Sequence, residues 1–208
     1  MLRRYSILFG IIISLSLLFV ATLYYPGGSQ YDKNAVGYDW KNNYLSNLFG
    51  AKGVNGSVSA SRPWAIAGML FLCASAALFF IDFSKKIPAK GSAKIIRYFG
   101  AGAMLSAFLA VTPYHDAMVT IADTMALVSM FYITVFVLKS RLHLFKILSI
   151  ICLLFYYCSS FVYYTSIYLE FLPILQKLTL LVTVTWIISL QYFTTRADFQ
   201  PVKKVAIK

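Results

Sequence analysis

Six long stretches of this chain are apolar and almost free of charge: 5–24, 63–81, 98–114, 117–138, 147–169 and 178–195. Asp123 is the one Lys, Arg, Asp or Glu inside them. A helix needs about 20 such residues to cross the hydrocarbon core of a bilayer. In lipid every backbone N–H and C=O must be satisfied within the segment, so these stretches are expected to be helices. A membrane barrel would show alternation over segments of about ten residues, and none is visible. Composition agrees: 60% of residues are hydrophobic and 12% charged, where a soluble domain has about 25% charged. Mean hydropathy is +0.72. These figures exclude a disordered chain, a secreted disulfide scaffold and a cytosolic enzyme. The expected fold is all-α and integral to a membrane, a single domain over 1–208 built as a six-transmembrane-helix bundle.

The net charge of +12 has a topological explanation. With a cytoplasmic N-terminus, the inner segments hold Arg3, Arg4, Lys85, Lys86, Lys90, Lys94, Arg97, Lys139, Arg141, Lys146, Arg196, Lys203, Lys204 and Lys208. The outer segments hold Lys33, Lys41, Lys52, Arg62 and Lys177. Cytoplasmic loops of membrane proteins carry such a basic excess, so both termini are expected to be cytoplasmic. The basic character then reflects topology and attraction to anionic lipid heads rather than nucleic-acid binding. The first stretch is longer than a signal-peptide core and has no clean small-residue cleavage site, so it is expected to be a retained helix. Cys73, Cys152 and Cys158 all fall inside predicted helices, without a C-x-x-C pair. They read as small buried hydrophobes. The expected location is a prokaryotic plasma (inner) membrane.

Most connections are short, but the first outer loop, 25–62, is long and not of low complexity. Loops of that length are functional or disordered. This one opens with Tyr25-Pro26-Gly27-Gly28, a turn signal. Asp39 can cap a short helix that Gly50 ends, with Leu45, Leu48 and Phe49 on one face. That helix is expected to order the loop as an interfacial anchor or as a lid. The amides of Asn42, Asn43 and Asn47 favour the lid, with Asn43, Ser46 and Asn47 as ligand-binding candidates. Helix three places Gly102, Ser106 and Ala110 four apart, and helix two has Gly68 and small residues over 74–77. Small faces let membrane helices approach closely, inside the bundle or at an oligomer contact.

Ionisable groups at membrane depth are functional candidates. Asp123 lies about two turns into the fourth helix from the outer face, on one side of it with Asp116 and Thr120. His115 stands just before, and a His–Asp pair can act in general acid–base chemistry. Asp123, His115 and Asp116 are the catalytic candidates; the alternative is that Asp116 only caps the helix and His115 is a solvated turn residue. Helix five is rich in tyrosine and serine, with Tyr156, Ser160 and Tyr163 on one face. Helix six adds Thr179, Thr183 and Trp186. Tyr156, Ser160, Tyr163, Thr183 and Trp186 are expected either to bond across helices or to line a polar, aromatic cavity open to the outer leaflet. No metal or cofactor is called for. The other histidine, His143, falls on the opposite side of the membrane, there is no G-x-S-x-G, and no phosphate-loop or dinucleotide fingerprint is present.

Tyr25-Pro26-Gly27-Gly28, Gly37-Tyr38, Asn43-Tyr44-Leu45-Ser46-Asn47-Leu48 and the Pro113…His115 turn resemble the uncharacterised membrane proteins grouped as "domain of unknown function 998". That family is similar in layout to the FRAG/DRAM/Sfk-type proteins, which include lipid-anchor remodelling factors. Asn47 stands in place of the family's usual Asp, and Phe49 precedes Gly50. The resemblance implies six helices and an outer-facing polar mouth, without an established reaction. The expected function is binding or remodelling of a lipid or lipid-linked group. The alternatives are a non-catalytic subunit or scaffold of a larger membrane complex, and a small transporter or channel. The expected partners are membrane lipids, with homo-oligomers or other membrane subunits possible. Whether the chain is an enzyme is left open.

Overall fold

The computed structural model describes residues 2–200, with side chains from Tyr5 onward. Among these residues the regular structure is helical: α1 (Leu2–Leu23), α2 (Arg62–Ser84), α3 (Lys90–Leu109), α4 (His115–Lys139), α5 (His143–Thr165) and α6 (Leu172–Phe193). Single 3₁₀ turns occupy Leu45–Phe49, Leu169–Phe171 and Arg196–Phe199. Five helices, all but α3, are long and apolar enough to cross a membrane. They fit an integral membrane protein. Many large apolar side chains face outward along them, among them Phe9, Phe19, Leu70, Phe131, Leu154, Leu181 and Phe193. An exposed apolar girdle of that extent needs a lipid surround.

Each helix packs on the next, and α6 returns against α1 and α2. The core gathers Phe79, Phe80 and Phe83 of α2, Ile133 and Val137 of α4, Cys152 of α5 and Trp186 and Leu190 of α6. The Trp186 indole lies 5.5 Å from the Phe79 ring and donates Nε1 to Ser149 Oγ at 2.9 Å. Small residues make the close approaches. Ser14 of α1 donates to the Gly68 carbonyl at 2.7 Å. A Cβ on Gly100 would lie 2.2 Å from the Phe80 ring, and one on Gly102 would lie 2.4 Å from Met125 Cε. The small faces of α2 and α3 are therefore used within the bundle.

The boundaries differ from the sequence reading in three helices. Helix three starts at Lys90 and ends at Leu109, rather than running 98–114. Its first turns carry Lys90, Lys94 and Arg97, all exposed, so this end is amphipathic and a search for uncharged runs starts too late. Helix five ends at Thr165, where Ser166 adopts a left-handed conformation (φ 57°). Helix six starts at Leu172 with Pro173 in its first turn, well before 178. Proline there is pre-organised for a helix start and loses no hydrogen bond. Lys177 lies inside this helix because its ammonium reaches oxygens at the end of the bundle. Of the cysteines, Cys73 and Cys152 are buried, whereas Cys158 faces outward.

At the far end of α6, Lys86 Nζ donates to the Leu190 and Gln191 carbonyls at 2.9 and 3.0 Å and to Thr194 Oγ1 at 3.2 Å. A helix leaves its last carbonyls unpaired, and this cation satisfies two of them at the negative end of the helix dipole. Burial pulls the Lys86 ammonium down to about 8, against smaller opposing effects of Asp82 and Asp198.

Candidate functional site

The site lies where the long first loop meets α4, α5 and α6. The loop is ordered by its own polar groups. Gly27 and Gly28 have φ of 128° and 81°, conformations that favour glycine. Gly28 N–H donates to the Ala35 carbonyl at 2.7 Å and Asn55 N–H donates to the Gly27 carbonyl at 3.2 Å, so the Pro-Gly-Gly turn joins two arms of the loop. The expected helix over 39–50 is a turn followed by a 3₁₀ segment. Asp39 accepts N–H groups of Lys41 and Asn42 and the Asn42 side-chain amide, forming a closed turn instead of a helix cap. Slight desolvation would raise the Asp39 carboxyl, but these hydrogen bonds outweigh it and hold the group below the ordinary carboxylate range. Leu48 is fully buried against Leu18, Ala21, Tyr25 and Ala65, which seats the loop on α1 and α2.

Asn43 and Asn47 hold the loop together rather than facing an open space. Asn43 Nδ2 donates to the Gly28 carbonyl at 2.8 Å, and Asn43 Oδ1 accepts Asp39 N–H at 2.8 Å. Asn47 Oδ1 accepts Tyr44 N–H at 2.7 Å. Helix α6 then fastens the loop to the bundle. Lys177 Nζ donates to the Asn43 carbonyl at 2.7 Å and to the Pro173 carbonyl at 2.9 Å, and lies 5.5 Å from the centre of the Tyr38 ring. Gln176 Oε1 accepts Leu45 N–H at 3.4 Å.

Between these parts is a cavity of about 580 Å³, within the range of small-molecule sites. Tyr44, Leu45 and Ser46 of the loop line it, with His115, Val119 and Asp123 of α4. Its other walls are Tyr156, Ser159, Ser160, Tyr163 and Ser166 from α5 and its end, Leu169, and Leu172, Gln176 and Thr179 of α6. A smaller cavity of about 180 Å³ adjoins it toward α2 and α3, sharing Ser46, His115, Val119, Asp123 and Tyr156.

The carboxylates of α4 are held by hydroxyls of α5. Tyr156 donates to Asp123 Oδ1 at 3.0 Å, and Ser160 donates to Asp123 Oδ2 at 3.2 Å, with the Tyr164 hydroxyl farther off at 3.5 Å. Tyr163 donates to Asp116 Oδ1 at 3.1 Å, and His115 Nδ1 lies 3.0 Å from the same oxygen. Asp116 is in the first turn of α4 but does not cap it; the capping position is Tyr114. On the α6 side, Ser159 and Thr179 hydroxyls are 2.7 Å apart. The cavity walls thus present a carboxylate, an imidazole and several hydroxyls to the enclosed space. Among the described residues, no three His, Cys, Asp or Glu side chains group as a metal site.

The sequence candidates therefore separate. His115, Asp123, Ser46, Tyr156, Ser160 and Tyr163 share the cavity, with Asp116 at its rim. Thr183 and Trp186 stand apart from it. Trp186 is buried in the core, and Thr183 Oγ1 faces Cys152 Sγ at 3.6 Å. Gln176 was missed because the rule that charge ends a spanning helix placed it in a loop with Lys177. Leu172, Gln176 and Thr179, at i, i+4 and i+7, carried the signal that the helix starts earlier. No protein-family model matches this chain, and no curated protein or solved structure matches it.

Proposed function

We propose that this chain crosses the bilayer six times with both termini cytoplasmic, and that its cavity binds a lipid or lipid-linked group from the outer leaflet of a prokaryotic plasma membrane. The 14-residue inner set of cations named above, against five outside, supports this orientation by the positive-inside rule. In it α3 is the sixth span, with Lys90, Lys94 and Arg97 at the cytoplasmic surface. The likeness to the "domain of unknown function 998" proteins, with their outer polar mouth, points the same way.

One observation carries the binding reading: a polar cavity and an apolar groove follow one another on the same pair of helices. The groove, about 460 Å³, is lined by Leu127, Val128, Phe131 and Tyr132 of α4 and by Leu153, Leu154 and Tyr157 of α5. Leu127 is one turn from Asp123, and Tyr157 is nearly one turn from Ser160. An amphiphile needs this succession of a polar seat for its head and an apolar path for its chain. The test is native mass spectrometry of the full chain purified in mild detergent. A retained amphiphile on the wild type, lost when Ser160→Trp fills the cavity, supports the reading. A stoichiometric partner chain with no bound lipid overturns it in favour of a scaffold.

A further inference from the structure

Resting on that reading, we infer that the head of the bound amphiphile carries a protonated amine, seated at Asp123 among the rings of Tyr156 and Tyr163. The charge of the walls is the first reason. Asp123 is the carboxylate lining the cavity, and no Lys or Arg lines it. Lys177 is next in sequence to the lining residue Gln176, yet its Nζ is directed at the Asn43 and Pro173 carbonyls. A phosphate or carboxylate head would meet like charge at Asp123 with no Lys or Arg to offset it, and the His115 imidazole is already paired with Asp116; an ammonium meets an opposite charge in a poorly screened setting.

The second reason is hydrogen-bonding capacity. A carboxylate offers about four acceptor positions. Asp123 receives close hydroxyl donors from Tyr156 and Ser160 and a longer contact from Tyr164, and it retains room for an ammonium donor from the cavity. The hydroxyls hold the carboxylate in place while leaving it open to the space. The third reason is aromatic. Tyr44, Tyr156 and Tyr163 line the same space, and tyrosine faces attract alkylammonium groups. The positive N-terminus of α4 opposes a cation at the rim, but Asp116 in its first turn offsets that partial charge.

The test presents the detergent-solubilised full chain with phosphatidylethanolamine and phosphatidylglycerol of identical acyl chains, with adducts counted by native mass spectrometry. The wild type should retain phosphatidylethanolamine over phosphatidylglycerol by at least about tenfold. Asp123→Asn should erase that preference. Gln176→Lys, which adds a cation to the wall and leaves the carboxylate untouched, should move it toward phosphatidylglycerol; it also keeps the test decisive if Asp123→Asn does not fold. Equal retention by the wild type, a preference for phosphatidylglycerol, or an unchanged ratio in Gln176→Lys overturns the amine assignment while leaving lipid binding intact. Retention of neither lipid by the wild type removes the binding reading itself.

Discussion

Tyr156 and Asp123 join α5 to α4 through one hydroxyl–carboxylate bond of 3.0 Å at the cavity wall. Hydrogen bonds between membrane helices contribute about 0.6 kcal/mol on average and up to about 1.7 kcal/mol. A double-mutant cycle of Tyr156→Phe and Asp123→Asn, followed by thermal unfolding in detergent, should give a coupling energy of about 0.5–2 kcal/mol. Strictly additive effects would show that the bond does not contribute.

Gly100 sets the approach of α3 to α2. A methyl group there meets Cγ, Cδ1 and Cβ of the buried Phe80 at 2.2–2.6 Å. The Cβ of Phe80 cannot move without its helix. Gly100→Ala should therefore destabilise the fold by about 1–3 kcal/mol, as overpacking does. In a Phe80→Ala background, which lacks Cγ and Cδ1, the added cost of Gly100→Ala should be smaller than in the wild type. A melting temperature unchanged by Gly100→Ala would contradict this packing.

Lys86 gives a pH dependence with a definite sign. Its folded-state value is about 8, below the ordinary 10.5. Between those values the unfolded chain still holds a proton that the folded chain has released. Stability from this group therefore rises with pH from about 8 to about 10.5 and is level outside that window. Unfolding temperatures across pH 7–10 should show this rise in the wild type relative to Lys86→Met. Parallel curves for the two proteins would refute it. At pH 7, Lys86→Met should also fray the end of α6, visible as faster amide exchange around 190–194.

Lys177 anchors the first loop through the Asn43 carbonyl. Lys177→Met removes that tie and leaves Leu48 seated between α1 and α2. Trypsin should then cut faster after Lys41 in this variant, while cleavage after Lys146 keeps its wild-type rate. Equal cleavage after Lys41 in both proteins would mean that the loop does not depend on the lysine.

The helices that were legible in the sequence are those whose lipid-facing length carries no charge. The spans of α1, α2 and α4 follow from that rule. It misplaces the starts of α3 and α6, because Lys90, Lys94, Arg97 and Lys177 lie inside helices with their ammonium or guanidinium groups at the bundle ends or surface. The grouping of Asp123 with Tyr156 and Ser160 was readable from helical spacing, since intramembrane carboxylates seek donors on neighbouring helices. Asn43 and Asn47 were not readable as loop braces. An amide that bonds backbone groups and one that awaits a ligand look alike in sequence, and only the closure of the loop on Gly28 separates them. Trp186, expected either to bond across helices or to line the cavity, does the first: its indole donates to Ser149 of α5 inside the core.

Helix α6 is fastened at both extremities by amines, Lys177 near its start and Lys86 at its finish, with Trp186 wedged between. It acts as a doorpost. The opposite wall, α4 with α5, meets the cavity with hydroxyl–carboxylate bonds, from Tyr156 and Ser160 to Asp123 and from Tyr163 to Asp116. The two walls are therefore held by different chemistry: one is braced by amines on backbone carbonyls at its ends, the other by side-chain pairs along the chamber itself.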